Sequence, residues 1–246
     1  MATRRRFQAG VIDAMGLEPG VLDRPGTTIV PSDDPAGTQL ALLYSVGAHS
    51  MLWCDPAVKE ILSPLASDER SMTDDEFRSW ATSVGGEIVG NAVMKTQWEP
   101  RPDLGPSPGA IHRFDWSSKV DLQLIQRLVD ASSQGDLEEA ELAMDGLDAM
   151  AIGLLDNGGD VAAYGSSRPF VYGTGFGDIG VLVRAGIRSG GWGRAVVAAL
   201  IDRVLLPGDL EPLYRCDPTN VGSDRLSASL GFQPAVALSV VQFPSG

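Results

Sequence analysis

The segment Val183-Arg-Ala-Gly-Ile-Arg-Ser-Gly-Gly-Trp-Gly-Arg-Ala195 holds the residues best suited to chemistry in this 246-residue chain. An apolar run, Asp178-Ile-Gly-Val-Leu-Val183, ends in a glycine-rich turn, and a helical pattern opens at Trp192. Glycines in such a turn let several backbone N–H groups point at one anion, and the positive end of the helix dipole adds to the attraction. The ligand this predicts is a phosphate or pyrophosphate; without a ligand the same pattern is a tight strand-to-helix turn. Competing phosphate motifs fail. There is no Gly-x-x-x-x-Gly-Lys-Ser/Thr, and the turn lacks the third glycine of a dinucleotide fingerprint and sits late in the chain. Tyr172-Gly-Thr-Gly-Phe-Gly177 alternates glycines with no helix behind it and reads as a loop.

The elements that must position this turn form a clear rhythm. Ile111–Phe114 is a short strand, and Ser118 or Asp121 caps a helix with Leu122, Ile125, Leu128 and Val129 on one face. Asp136-Leu-Glu-Glu-Ala starts a second helix with acids in its first turn. Met150–Leu155 and Val161–Tyr164 flank Asp156-Asn-Gly-Gly-Asp160, a hairpin signal. After the 178–183 strand come a helix over Trp192–Leu205, a strand over Leu213–Cys216, a helix over Gly222–Leu230 and a last strand over Val236–Phe243. The order is β-α-α-β-β-β-α-β-α-β. Trp192 reads as a core anchor of its helix, together with Ala195, Val196, Ala199 and Leu200.

The earlier residues read as mixed α/β, with a helix over Arg5–Met15, strands over Gln39–Tyr44 and Ser50–Trp53, a short helix over Pro56–Leu62 capped by Asp55, a capping box at Thr73-Asp-Asp-Glu76 and a strand over Glu87–Met94. His49 reads as a structural histidine. Between the halves, Trp98–Gly109 carries four prolines and two glycines, which exclude a helix or a central strand. The expected division is therefore a smaller mixed α/β N-terminal domain, 1–108, and a second domain, 109–246.

Two motifs of the second domain resemble a known family. Arg188-Ser-Gly-Gly191-Trp-Gly193 is similar to the Gln/Arg-x-x-Gly-x-Gly/Ala motif of the GNAT N-acetyltransferases. Asn220, Ser223, Arg225, Leu226, Leu230, Gly231 and Phe232 fall at the spacing of that family's Asn-x-x-Ala-x-Arg-Leu-Tyr-x-x-Leu-Gly-Phe segment. The element order looks like that fold too. The resemblance implies an α/β acyl-CoA N-acyltransferase fold, a mixed sheet with helices, in the C-terminal half; the N-terminal domain shows only a loose likeness to the extra domains some members carry.

What the resemblance implies is acetyl-CoA as co-substrate. The strand before the turn splays from its neighbour, and the pantetheine arm lies along it, bonded to backbone near Val181, Leu182 and Val183. The pyrophosphate sits on the N–H groups of Arg188, Ser189, Gly190, Gly191, Trp192, Gly193 and Arg194, and Asn220 and Ser223 flank the distal part of the cofactor. An amine attacks the thioester directly while a backbone N–H stabilises the oxyanion. Asp178, at the head of the strand, is the first candidate for the base that takes the ammonium proton, although it stands one residue off the family's usual register, which would turn it to the other face. His112 and Glu87 are weaker candidates. The family's tyrosine acid aligns with Ser227, a shorter and poorer acid; Tyr164, Tyr172, Tyr214 or water are the other proton sources. Arg184 and Arg215 are candidates to place a phosphate or an acidic substrate. The acids from Asp136 to Asp148 read as a solvated helix face or as an attraction for a cationic amine.

Composition bounds the partners. With 19 Lys+Arg against 32 Asp+Glu, a net charge of −13 argues against nucleic acid while leaving room for a small backbone-built phosphate site. Only Lys59, Lys95 and Lys119 are lysines, an arginine bias that with many Ala and Gly suits a GC-rich bacterial genome. Cys54 and Cys216 make neither a disulfide framework nor a Cys-rich zinc site, and no metal is expected. Met1-Ala-Thr-Arg-Arg-Arg-Phe7 has no apolar stretch behind it, and no run approaches the length of a membrane span, so a soluble, cytoplasmic protein is expected. A small-molecule or peptide amine is the expected acceptor, and a homodimer is a candidate assembly. Two readings stand beside the transferase: a catalytically weak or inactive acyl-CoA sensor, motivated by Ser227, and a phosphate-binding regulator with no CoA specificity.

Overall fold

The computed structural model describes residues 9–13, 15–32, 39–97, 105–140, 150–169 and 175–244. The chain forms two compact units. The first comprises Met1–Lys95, Arg215–Val221 and Pro234–Gly246; the second comprises Thr96–Tyr214 and Gly222–Gln233. This partition differs from the expected 1–108 and 109–246. A Pro/Gly-rich connection marks where the chain can cross a surface, but a unit is defined by which strands share a core, and the last strand shares its core with the first unit. Residues 98–104 of the expected linker lie outside the described residues, as do most of the expected Arg5–Met15 helix, of which 9–13 are helical.

In the first unit the strands are β1 (Gly26–Pro31), β2 (Leu40–Val46), β3 (His49–Cys54), β4 (Glu87–Gln97) and the final β10 (Phe232–Gln242), in the order β1-β3-β2-β10-β4. β2 and β3 form an antiparallel hairpin about Gly47, whose φ of 64° suits a residue without Cβ. β1 pairs with β3 in parallel. It is not among the strands expected from the sequence, although Thr27-Thr28-Ile29-Val30 is β-branched throughout. The capping box is present: Thr73 accepts from Glu76 N and Glu76 accepts from Thr73 N, starting α1 (Asp74–Ser83), which seats Phe77 and Ala81 on Leu43, Leu52, Val241 and Phe243. His49 is buried, with Nε2 2.9 Å from Thr28 Oγ1 and Nδ1 3.1 Å from the Arg24 carbonyl. It is a structural histidine. Cys54 and Cys216 are both buried free thiols.

The second unit holds β5 (Ala110–Arg113), α2 (Lys119–Asp130), α3 (Gln134–Ala140), β6 (Met150–Leu155), β7 (Val161–Pro169), β8 (Phe176–Val183), α4 (Trp192–Leu200), β9 (Glu211–Cys216) and α5 (Val221–Ser229), with the strand order β9-β8-β7-β6-β5. With β10 following α5 along the chain, the succession β-α-α-β-β-β-α-β-α-β from β5 onward is the one read from the sequence. Alternation along the strands assigns the two faces. Phe114, Tyr164 and Leu182 meet Leu124, Ile125 and Leu128 of α2 on one face. Gly165, the next residue along β7, faces α4: a Cβ there would stand 3.4 Å from Val196 Cγ2. The unit is therefore a sheet between α2–α3 and α4. The helix expected to run to Leu205 changes type, with a π turn over Ile201–Leu205 and a 3-10 turn over Leu206–Gly208. Pro207 cannot continue an α-helix, because its ring removes a donor and crowds the preceding turn. Among the described residues no helix is long and apolar enough to cross a membrane.

Candidate functional site

The turn between β8 and α4 leaves most of its amides without a partner among the described residues. Arg184 N makes the last bond to β7, 3.0 Å to the Ala162 carbonyl. A single 3-10 turn, Ala185–Ile187, follows, and Gly190 N closes onto the Ile187 carbonyl at 3.3 Å. Ser189 (φ 71°) and Gly191 (φ 79°) then take left-handed conformations on either side of Gly190. Gly191 caps α4, accepting from Ala195 N at 3.0 Å. The N–H groups of Ser189, Gly191, Trp192, Gly193 and Arg194 have no acceptor among the described residues. The last three are the unpaired donors of the first turn of α4. Ser189 and Gly191 are exposed, and Trp192, Gly193 and Arg194 are half-buried.

Close packing seats the helix. A Cβ on Gly193 would stand 3.2 Å from Val183 Cγ2 and 3.4 Å from Leu226 Cδ2, so α4 lies close against β8 and α5. The Trp192 ring lies over Gly109, where a Cβ would overlap it, and beside Gly190. Half-buried, it covers the start of β5 more than it anchors the core.

The arginines of the turn are held by carboxylates. Arg184 Nη2 stands 2.6 Å from Asp156 Oδ2. Arg188 donates from Nε to the Val183 carbonyl at 3.3 Å and from Nη2 to Asp136 Oδ2 at 2.7 Å. The Arg188 guanidinium, and then the Ser133 hydroxyl, hold the Asp136 carboxyl below its usual range. The Arg184 guanidinium does the same for Asp156, with help from the Asp160 and Gly158 amides. Arg188 was expected to offer its backbone N–H to a pyrophosphate; its guanidinium is bound to the Val183 carbonyl and to Asp136. Arg194 differs. Its Nε is buried without a partner.

β8 and β9 part where the resemblance predicts a splay. Their parallel ladder covers Phe176–Ile179 against Glu211–Tyr214 and then stops. Gly180–Val183 keep their ladder with β7 on the other side. Val181, Leu182 and Val183 thus present one backbone edge beyond the end of the β9 ladder. Asp178 is half-buried and stands opposite Arg168 of β7. It shares its strand face with Gly180 and Leu182, the face covered by α2 and α3; a Cβ on Gly180 would stand 2.5 Å from the Ala140 carbonyl oxygen.

The segment around α5 gives a different picture. Ser227 is fully buried, and its hydroxyl donates to the Asp224 carbonyl at 2.8 Å, which directs its proton into its own helix. Ser223 is half-buried on the same helix, and Asn220, half-buried, precedes it in the part of the chain that belongs to the first unit. Tyr164 and Tyr214 are buried, Tyr172 lies outside the described residues, and Glu87 is exposed at the start of β4. His112 stands 2.9 Å from Asp121 Oδ1, while Asp121 Oδ2 accepts from Asp115 N at 2.7 Å; the pair ties β5 to α2. Among the described residues no group of three or more His, Cys, Asp or Glu could hold a metal ion. The sequence reading missed the carboxylates that hold the turn, Asp136 and Asp156. Their only sequence signals were local ones, a helix-start acid and a hairpin aspartate.

No family model matches the sequence, and no curated protein matches it. Solved structures do match. A GNAT-family acetyltransferase from Colwellia psychrerythraea superposes with a TM-score of 0.53 at 15% identity, over 78% of this chain and 76% of that one. A GNAT-like protein from Streptococcus suis covers 86% of both chains at 16% identity and a TM-score of 0.49. An acetyltransferase of that family from Novosphingobium aromaticivorans covers 65% of this chain and 69% of its own at 17% identity and a TM-score of 0.49. The fold is that of the GNAT acetyltransferases, an α/β fold with a mixed sheet.

Proposed function

We propose that the protein is an N-acyltransferase that moves an acetyl group from acetyl-CoA to the amine of a small molecule or peptide. One observation carries the reading: a run of N–H groups from Gly191 to Arg194 with no acceptor among the described residues lies just after a strand whose parallel ladder has ended. Those donors, with the buried Arg194 Nε, suit a pyrophosphate. The backbone of Val181–Val183 that faces away from β7, apart from the Val183 carbonyl that accepts from Arg188, suits the amide groups of a pantetheine arm. Ser189 and Gly190, both exposed, line the approach, Gly193 lets α4 pack closely on β8 and α5, and Asn220 and Ser223 are assigned to the distal part of the cofactor.

The chemistry asks for alignment more than for reactive side chains. The amine nitrogen forms a bond to the thioester carbon, the C–S bond breaks, and the sulfur leaves as thiolate. A backbone N–H of the Val181–Val183 edge stabilises the oxyanion. Asp178 takes the ammonium proton, directly or through water. Ser227 contributes little as an acid, because its proton is already donated to Asp224. No metal is needed. A soluble, cytoplasmic protein, with a homodimer as a candidate assembly, fits this role.

Thermal shift with acetyl-CoA, CoA, ATP and NAD, followed by thiol release with a panel of amines, tests the proposal. Stabilisation by both CoA species, together with amine-dependent thiol release, is the expected result. Equal stabilisation by ATP and NAD, or binding with no thiol release from any amine, would contradict it.

A further inference from the structure

The Asp136–Arg188 pair joins the anion-binding turn to a helix on the other side of the second unit's β8. Arg188 bridges two elements: Nε donates to the Val183 carbonyl at the end of β8, and Nη2 to Asp136 in the first turn of α3. Asp136 is itself set in place, since Ser133 Oγ donates to Oδ2 at 2.5 Å and accepts from Asp136 N at 3.2 Å. At its far end α3 meets β8 again, where the Ala140 carbonyl lies so close to Gly180 that no Cβ fits. So α3 is fixed along β8 at two points, one of them the turn.

The residue after Arg188 explains why a tether belongs there. Ser189 holds a φ of 71°, costly for a residue with a Cβ, and such a conformation persists only where its surroundings fix it. Arg188, the residue before it, is the one bound at both ends of its guanidinium. The pair is too exposed to add much stability, with Arg188 at 47% and Asp136 at 24% side-chain exposure, so its effect falls on geometry.

We propose that Asp136 is a positioning residue of the anion site: through Arg188 it holds Ser189–Gly191 in the conformation that aims the turn's N–H groups at one point, and it couples occupancy of the turn to the placement of α3. This rests on the coenzyme A reading above.

Amide hydrogen exchange on the ligand-free protein and calorimetric titration with CoA, for wild type, Asp136→Asn, Arg188→Met and the double variant, test it. Asp136→Asn is expected to speed exchange over 185–194 by about tenfold and to weaken CoA binding by about five- to tenfold, with little change in melting temperature. Arg188→Met should match it, and the double variant should be no worse than either single one. Arg188→Lys replaces Arg188→Met if the latter does not fold. Unchanged exchange in Asp136→Asn overturns the inference, as do additive losses. Tighter CoA binding in Asp136→Asn overturns it too, since Arg188 would then be a phosphate ligand restrained by Asp136. Wild-type protein that does not bind CoA overturns the cofactor reading instead, while the ligand-free exchange still reads the tether separately.

Discussion

Two glycine-rich turns of the second unit look alike in sequence and differ in where their amides go. In the β6–β7 hairpin the turn closes on itself. Asp156 Oδ1 accepts from Gly158 N at 2.9 Å and Asp160 N at 3.1 Å, the Asp156 carbonyl accepts from Gly159 N at 3.0 Å, and Asp156 N donates to the Asp160 carbonyl at 2.9 Å. In the β8–α4 turn, five N–H groups between Ser189 and Arg194 have no acceptor among the described residues. Both turns use a left-handed glycine, Gly159 and Gly191. The difference is the carboxylate. One turn has an aspartate inside it that collects the amides; the other has its nearest carboxylates, Asp136 and Asp156, bound to the arginines at its base. Glycine content therefore does not mark an anion site. The fate of each backbone donor does.

If that contrast is right, damage to the open turn should remove binding. Gly191→Val forces a β-branched residue to a φ of 79°, and Gly193→Val drives a side chain into Val183 and Leu226. Each should weaken CoA binding by at least about a hundredfold, about 2.7 kcal/mol, in a protein that still unfolds cooperatively. A folded variant with unchanged affinity would end the contrast. Next in size is the proposed proton acceptor: Asp178→Asn should lower kcat by about a hundredfold at unchanged CoA affinity. Loss of CoA affinity without loss of kcat would remove Asp178 from the chemistry.

Damage to the closed turn should cost stability alone. Asp156→Ala removes the acceptor of the Gly158 and Asp160 amides, so the urea unfolding midpoint should fall, with CoA affinity within about threefold of wild type. A larger loss of affinity would show that the hairpin also shapes the site through Arg184. The carboxyls of Asp156 and Asp136 both lie below their usual range in the folded protein. Their contribution to stability is present above the unfolded value, near 4, and is lost as the pH falls through the folded values. Acid unfolding curves of wild type and Asp156→Ala should therefore coincide in shape near neutrality and converge only on acidification below about pH 4. The smallest effect is expected at Ser227→Ala, with kcat lowered by well under about tenfold, roughly 1.4 kcal/mol or less. A hundredfold loss with CoA affinity intact would make Ser227 a catalytic group.

What the sequence disclosed follows from which interactions are local. The succession from β5 to β10 was readable because each element carries its own period and its own stop, such as the Asp156–Asp160 turn or the Ser118 cap. β1 was missed because Gly26 and Pro31 bracket it closely, and its partner, β3, is parallel and comes later in the chain. The partition into units was not legible, because the Pro-rich stretch before Gly109 is a local signal, whereas the placement of Pro234–Gly246 with the first unit is set by strand pairing with β2. Motif spacing located the turn but not the state of its side chains. Arg188 meets Asp136 and Ser227 turns its hydroxyl inward through contacts that no spacing records.

An amide-resolved NMR titration of the wild-type protein with CoA reads directly whether an anion sits on the backbone of the open turn. Large, saturable shifts are expected at the N–H groups of Gly191, Trp192, Gly193 and Arg194, with those of Gly158 and Gly159 unmoved. Saturable binding of CoA that leaves Gly191–Arg194 unshifted would contradict that placement.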